Sequence, residues 1–347
     1  MKNFDYSFLE TGMIPANLVN LIGMVSELKG RGSEKRNSYS DFFTKMESAS
    51  KVQSVRGSNE IDGIVASEQR VVEIMNKVGK LQNTGEEAIA GYRDALALVN
   101  GAYMGLDIRE RDILWIHEVA MSYSSVKGGK YKANDNPIME IDPDGSKFVR
   151  FTPPSAAVTK VTMERLMWAY VKAKNNDNIS KLLLIPCFIF DFLCIHPFDE
   201  GNGRVSRLLS SLLLRKNGFD VGRYVSLEGQ INRSKNEYFE ALKNSSAGWH
   251  KGRNNYFPFI ENFLTMLLFC YVDLDKRFDK SNKKVTKRQR IENIVLDSVM
   301  HISKANICSA LPDISQTMIE VVLGEMCKDG RIKKVGAGRT TKYAKVE

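Results

Sequence analysis

The 347-residue sequence predicts a mainly α protein with one isolated β-hairpin and a small C-terminal unit of three helices followed by a second hairpin. Three observations predict it. Apolar residues recur at helical spacing through most of the chain. One interval, "GGKYKANDNPIMEIDPDGSKFVRFTPP" (128–154), is too rich in Gly, Asn, Asp and Pro for a helix and holds two short extended runs around a turn. A basic stretch from Lys276 to Arg290, eight Lys or Arg against one acid, sets off the last part of the chain. With 43% apolar and 26% charged residues and no low-complexity tract, the composition is that of a globular protein.

In chain order, "SASKVQSVRGSNEIDGIVASEQRVVEIMNKV" (48–78) carries Ile61, Ile64, Val65, Val71 and Val72 among polar residues and reads as helical. The hairpin follows, its turn placed at Asp142-Pro143-Asp144-Gly145. On its own residues it is as compatible with a plain surface turn as with a functional element. Further helices are expected over "VTMERLMWAYVKA", "KLLLIPCFIFDFLC", "RVSRLLSSLLLRKNG" (closed by Gly218), "KNEYFEALKNS" and "YFPFIENFLTMLLFCYVDL". The terminal unit reads as helices over 291–300, 304–311 and 315–328, then "GRIKKVGAGRTTKYAKV" as two strands, the order of a winged helix-turn-helix.

No signal peptide is evident in the first 20 residues, and Pro186, Asp191 and His196 interrupt the longest apolar stretch. A cytoplasmic protein with no membrane partner is the expectation. The five cysteines are scattered with no CxxC pair, which argues for reduced thiols and against a disulfide framework or zinc ribbon.

The chemistry concentrates in "CIHPFDEGNGRVSRLL" (194–209). A Gly-Asn-Gly turn that leads into a helix presents unpaired N–H groups and the positive end of the helix dipole to an anion. Arg204 and Arg207 stand one turn apart and can both reach a polyphosphate. Glu200 could hold Mg²⁺ between phosphates, and His196 could serve as a general base. Singly each has a structural explanation; together they match one ligand, a nucleotide, and one task, transferring part of it to a hydroxyl.

"HPFDEGNGRVSR" resembles the motif HPFx[DE]GNGRxxR of the Fic family at every defined position. The resemblance implies a Fic-type helical core, a β-hairpin flap and a protein adenylyltransferase (AMPylator) that moves AMP from ATP to a Tyr, Ser or Thr hydroxyl of a target protein or of itself. It implies His196 as the base, Glu200 on Mg²⁺, Gly201, Asn202 and Gly203 as an anion hole, and Arg204 and Arg207 on the phosphates. Phe198 would anchor the loop in the core. "GKYKANDNPIM" is similar to the family's flap through Gly129, Tyr131, Lys132 (in place of Arg) and Ile138, which puts Pro137 and Ile138 at the nucleotide. "NRSKNEYFEAL" is similar to the segment bordering adenine, with Tyr238 and Phe239; Ser234 and Lys235 stand where the family has Asn-Arg. A core aromatic pair explains Tyr238 and Phe239 almost as well.

"SNEIDGI" (58–64) resembles the inhibitory motif [ST]xxxE[GN], with Ser58, Asp62 and Gly63. In that motif a glutamate pairs with the second arginine and blocks the ATP γ-phosphate. Asp62 is one methylene shorter, so an Asp62–Arg207 pair is expected that is weakened or bridged by water. The expected domains are 1–105 with the inhibitory motif, 106–275 as catalytic core, 276–290 as basic linker and 291–347 as winged helix. From Lys284 onward there are 12 Lys or Arg against 7 Asp or Glu, which suits nucleic acid, while Glu320 and Glu325 on the expected groove helix oppose it. DNA and a docked protein both stay open as partners of that unit, as does a homodimer by analogy with relatives. Removal of AMP from a modified protein by the same site, and a DNA-binding regulator that senses a nucleotide, are the alternatives. Gly203 argues against the phosphoryl transfer of Doc-type toxins, whose motif has Lys there.

Overall fold

The structure, a computed structural model, describes every residue except 1, 37–38, 142–144, 283–285, 297, 299–300, 337, 339–340 and 347. The chain forms two compact units, Met1–Ser26 with Glu47–Tyr271 and Glu27–Met46 with Val272–Glu347. In order the elements are α1 (Phe8–Thr11), α2 (Ala16–Arg36), α3 (Ser40–Ile61), α4 (Glu68–Met75), α5 (Thr84–Ala102), α6 (Glu110–Ala120), β1 (Ile138–Ile141) and β2 (Lys147–Phe151). There follow α7 (Ala156–Lys174), α8 (Lys181–Ile195), α9 (Asn202–Lys216), α10 (Leu227–Arg233), α11 (Lys235–Ser246) and α12 (Phe257–Asn282). The last elements are α13 (Lys287–Leu296), β3 (Ile302–Ser303), α14 (Lys304–Ala310), α15 (Gln316–Lys328), β4 (Ile332–Val335) and β5 (Lys342–Lys345).

The first unit is built around α8, a helix apolar on nearly all sides and therefore buried between neighbours rather than lying on a surface. It packs against α7 and α9, and α9 in turn packs against α5 and α6. Asp191, the one acid inside α8, has no exposure. It is satisfied by Trp249 Nε1 (2.7 Å) and by the hydroxyls of Tyr6 and Tyr256 (2.8 Å each), with Lys2 Nζ at 3.5 Å. Within α12 the stretch Phe257–Lys280 is long and apolar enough to cross a membrane, yet half of it is buried in the protein. All five cysteines are free thiols.

Residues 48–78 are not one helix. α3 stops at Ile61, and α4 starts only at Glu68, where Ser67 accepts from Arg70 N. The cause is Gly63, whose φ of +82° lets the chain turn left-handed without Cβ strain. Gly63 N then donates to Glu60 O (3.0 Å) and Ile64 N to Asn59 O (2.9 Å), a Schellman closure that leaves Asp62 as the capping residue itself. Val65, read as part of an apolar face, is 78% exposed as a result.

The hairpin is antiparallel and isolated: β1 pairs only with β2 among the described residues. Gly145 has a φ of +86°, while 142–144, the rest of the expected turn, lie outside the described residues. The register pairs Ile138 with Phe151 but Met139 with Val149, so Arg150 is an extra, bulged residue.

In the second unit, α13 to α15 enclose a core of Ile291, Val295, Ile307, Leu311, Ile319, Leu323 and Met326. The strands order as β3-β5-β4, all antiparallel. The element order is the expected one with β3 added. It was not visible in the sequence because a two-residue strand has no periodicity. The expected linker 276–290 is largely helical: α12 runs through Asn282 and α13 begins at Lys287, with 283–285 outside the described residues. Basic side chains do not break a helix, and Arg277 is bridged to Asp273 one turn back (2.7 Å). Residues 27–46, expected in the N-terminal domain, group with this unit instead, where Phe278 packs on Tyr39 and Phe42 with ring centroids 4.7 and 5.5 Å apart. Glu320 and Glu325, which oppose phosphate in the sequence reading, pair with Lys304 (2.6 Å) and Arg288 (2.7 Å). The wing residues 337 and 339–340 lie outside the described residues.

Candidate functional site

The loop between α8 and α9 carries the motif residues. α8 ends at His196 in a left-handed conformation (φ 49°, ψ 61°), and Pro197 cannot continue a helix. A non-glycine residue held there costs on the order of 1–3 kcal/mol unless its surroundings fix it. They do so through four consecutive carbonyls, Ile195 to Phe198. Ile195 O accepts from Lys132 Nζ (3.4 Å), His196 O from Asn136 Nδ2 (3.3 Å) and Pro197 O from Lys132 N (2.9 Å). Phe198 O accepts from both Asn136 Nδ2 (2.8 Å) and Asn202 Nδ2 (2.7 Å). Phe198 itself has no exposure and stacks on His117 with centroids 3.7 Å apart.

His117 is a site residue that sequence reasoning missed, since one imidazole in an amphipathic helix carries no distinctive spacing. Gly129 N donates to its Nδ1 (3.2 Å), so Nδ1 is unprotonated and Nε2 carries the hydrogen that Glu200 O accepts (3.2 Å). One neutral ring thus ties the entrance of the hairpin to the motif loop. Burial pushes its pKa down to about 4.

Helix α9 opens at Gly201 (φ +82°) with no side chain capping it, so the N–H groups of its first turn are left without a side-chain partner. The Asn202 side chain is 3% exposed and bonds Phe198 at both backbone atoms, so it braces the loop and leaves the expected anion hole to the backbone N–H groups. Arg204 is buried, and the Met121 sulfur at 3.4 Å is its one polar contact among the described residues. Burial lowers its pKa, and the nearby Asp62 and Glu200 carboxylates offset only part of that. Glu200 is exposed. A single carboxylate beside a helix N-terminus fits Mg²⁺ only if phosphates complete the shell, and no group of three or more metal-ligating side chains occurs among the described residues.

Arg207 is the hub. Its Nε donates to Ser58 Oγ (2.7 Å), and its Nη2 to Ser58 O and to Asp62 Oδ2 (2.8 Å each). The expected Asp62–Arg207 pair is present, and its contact is direct rather than bridged by water. The missing methylene is offset by where α3 ends: with Asp62 N turned to Asn59 O, the Ser58 carbonyl is left for Arg207, which draws the guanidinium to the helix terminus. The fork is divided, one nitrogen on Ser58 and one shared, so the carboxylate is held by a single nitrogen rather than bidentately. Burial opposes the charge on Arg207, and the Asp62 carboxylate reverses that and raises its pKa overall. α3 is held in turn by Asn232 Nδ2 on Glu60 Oε2 (2.7 Å) and Lys235 Nζ on Glu60 O (3.3 Å). A Cβ on Gly203 would meet Asp62 Oδ1 at 3.0 Å and Arg207 Nη1 at 3.1 Å, so this position sits directly under the pair.

These groups border a cavity of about 190 Å³, walled by His196, Gly203, Arg207, Asp62, Ile138, Tyr238 and Phe239 together with residues not foreseen: Arg150 and Phe151 of β2, Leu193 and Cys194 of α8, Leu242 and Ser246 of α11. Such a volume is below the ~300–1,000 Å³ of most small-molecule sites. It continues into an outer cleft of about 1070 Å³ lined by both hairpin strands, Asp62, Gly63 and α11. Pro137, expected at the nucleotide, is exposed and lines neither space, and Gly201, Asn202, Arg204 and Glu200 lie outside both linings. Tyr238 is buried and Phe239 is 38% exposed, with centroids 5.5 Å apart.

His196 lines the cavity with its Nδ1 buried and unpartnered. Burial, then Lys132 and Arg150, push its pKa down to about 4, so it is neutral and able to accept a proton. In the unfolded chain a histidine titrates near 6.5. As pH falls below 6.5 the unfolded state takes protons that the native state refuses until about 4, so this contribution is complete above 6.5 and lost on the way down. At pH 4.5 the loss is expected to be about 2–3 kcal/mol for His196 alone. His196→Asn, which tolerates the left-handed backbone, should therefore show a smaller fall in melting temperature between pH 7 and 4.5 than wild type.

The Fic/DOC family profile matches residues 107–214. The chain is 30% identical over 141 residues, 41% of its length, to a probable protein adenylyltransferase of Aquifex aeolicus, and 25% identical over 162 residues, 46% of its length, to the protein adenylyltransferase Fic of Drosophila yakuba. These stretches span 38% and 29% of those two proteins. The crystal structure of a Fic family protein from Desulfovibrio desulfuricans shares the fold, with a TM-score of 0.62 at 20% identity over 96% of this chain and 97% of that one.

Proposed function

Because this chain is a Fic-domain protein, we propose that it is a protein adenylyltransferase that moves AMP from ATP to a protein hydroxyl and is held idle by its own Asp62. The single observation that carries the proposal is the state of the two arginines one turn apart on α9. Arg204 is buried with no carboxylate bonded to it, and Arg207 has its anion supplied from within the chain at 2.8 Å. A site built for phosphates, half of it occupied by a carboxylate, is a restrained nucleotide site.

The chain's own residues would divide the work. The apolar wall of Ile138, Leu193, Tyr238, Phe239 and Leu242 suits an adenine ring. The uncapped start of α9 and Arg204 take the phosphates. His196 accepts the proton as the target hydroxyl forms its bond to the α-phosphorus and pyrophosphate leaves. Glu200 would hold Mg²⁺, which when bound neutralises phosphate charge. Met139, Phe148 and Val149 expose apolar surface on the hairpin, where an extended target segment can dock.

The test is label transfer. α-Labelled ATP should label the protein or a target in a cell lysate, and γ-labelled ATP should not. Transfer of γ-label would replace the adenylyl assignment with phosphoryl transfer, and release of AMP from a premodified target without labelling would indicate the reverse reaction.

A further inference from the structure

We propose, resting on the reading above, that Arg150 of the hairpin is a further substrate-binding residue and that its ligand is the α-phosphate of the nucleotide. The first ground is placement. Strand neighbours point to opposite faces, yet Arg150 and Phe151 both line the inner cavity, because Arg150 is the extra residue of the bulge between Ile138 and Met139. An irregularity at this one position re-aims a guanidinium into the site.

The second ground is charge. Arg150 borders both the inner cavity and the outer cleft. The other cations of that cleft are engaged, Lys243 with Glu140 (3.2 Å) and Lys235 with Glu60 O (3.3 Å). Arg150 has no hydrogen bond or ion pair among the described residues. It is half-buried, and it lies near enough to His196 to oppose that ring's protonation. The hydroxyl, the base and the reacting phosphorus must meet beside His196, so an unpaired fork there faces the non-bridging oxygens of the α-phosphate. In the transfer step the target oxygen bonds to that phosphorus, the bond to the β-phosphate oxygen breaks, the proton goes to His196 and pyrophosphate departs. Arg150 would hold the phosphoryl oxygens opposite the α9 terminus throughout.

The full-length chain with Asp62→Gly, alone and combined with Arg150→Ala or Arg150→Lys, is titrated calorimetrically with adenosine, AMP and ATP. Arg150→Ala should weaken AMP and ATP alike by about ten- to hundred-fold and leave adenosine unchanged. Arg150→Lys, a point charge without the fork, should fall between. Unchanged AMP and ATP affinity with reduced target labelling would overturn the proposal in favour of an acidic group on the target. A loss for ATP but not AMP would overturn the α-phosphate assignment, and an equal loss for adenosine would reduce Arg150 to a wall of the base pocket. If Asp62→Gly alone binds none of the three, the nucleotide reading itself fails, and this proposal with it.

Discussion

Asp62→Gly in the full-length protein is expected to raise AMP transfer about ten- to hundred-fold over wild type. The charged bond from Arg207 Nη2 to Asp62 Oδ2, at 2.8 Å and with Arg207 buried, is of the class worth about 1.5–3 kcal/mol, and each 1.4 kcal/mol is tenfold. An incoming phosphate must replace that carboxylate. With Asp62 gone the two bonds from Arg207 to Ser58 remain, so the guanidinium stays oriented while its charge becomes available. Asp62→Asn, which keeps an acceptor and loses the charge, should lie between. The same substitution leaves Arg207 without its counterion, so Asp62→Gly should melt below wild type without nucleotide and regain the difference in saturating ATP. Transfer rates indistinguishable among wild type, Asp62→Asn and Asp62→Gly would end the inhibition hypothesis.

The second large effect is at His196, where replacement by Asn should reduce transfer by about 10²–10⁴-fold, the usual share of a general base. Asn is the informative choice because it adopts the left-handed backbone that His196 occupies, so the carbonyl bracket from Lys132 and Asn136 is retained. ATP affinity measured in the Asp62→Gly background should be unchanged, since the phosphates are assigned to α9 and Arg150 rather than to the imidazole. A fall in ATP affinity as large as the fall in rate would recast His196 as a binding residue.

Much of the site was readable because it is contiguous. His196, Glu200, Gly201, Gly203, Arg204 and Arg207 occupy twelve positions of chain, and a left-handed turn followed by a helix N-terminus is a local structure. The Asp62–Arg207 pair was readable through a second short pattern, although its directness was not. The helix break at Gly63 that produces it depends on one residue inside an otherwise helical run. The cavity walls were not readable. Leu193 and Cys194 look like any buried helix residues, and Leu242, Ser246, Arg150 and Phe151 reach the same space from elements far away in sequence. Arg150 was hidden for a further reason: alternation along a strand predicts one face for it, and a bulge overrules alternation.

By itself, then, the sequence determined the mainly helical class, the lone hairpin, the order of elements in the terminal unit and the glycine turn that opens α9, because each follows from periodicity or from turn chemistry within a few residues. Only the tertiary structure decided that the Asn202 side chain braces the loop, that His117 joins the hairpin to Glu200, and that Asp62 meets Arg207 directly. The reason is physical. Local backbone preference sets where a helix begins and ends, whereas the partner of a buried polar group is whichever donor or acceptor the packing of distant helices delivers within about 3 Å.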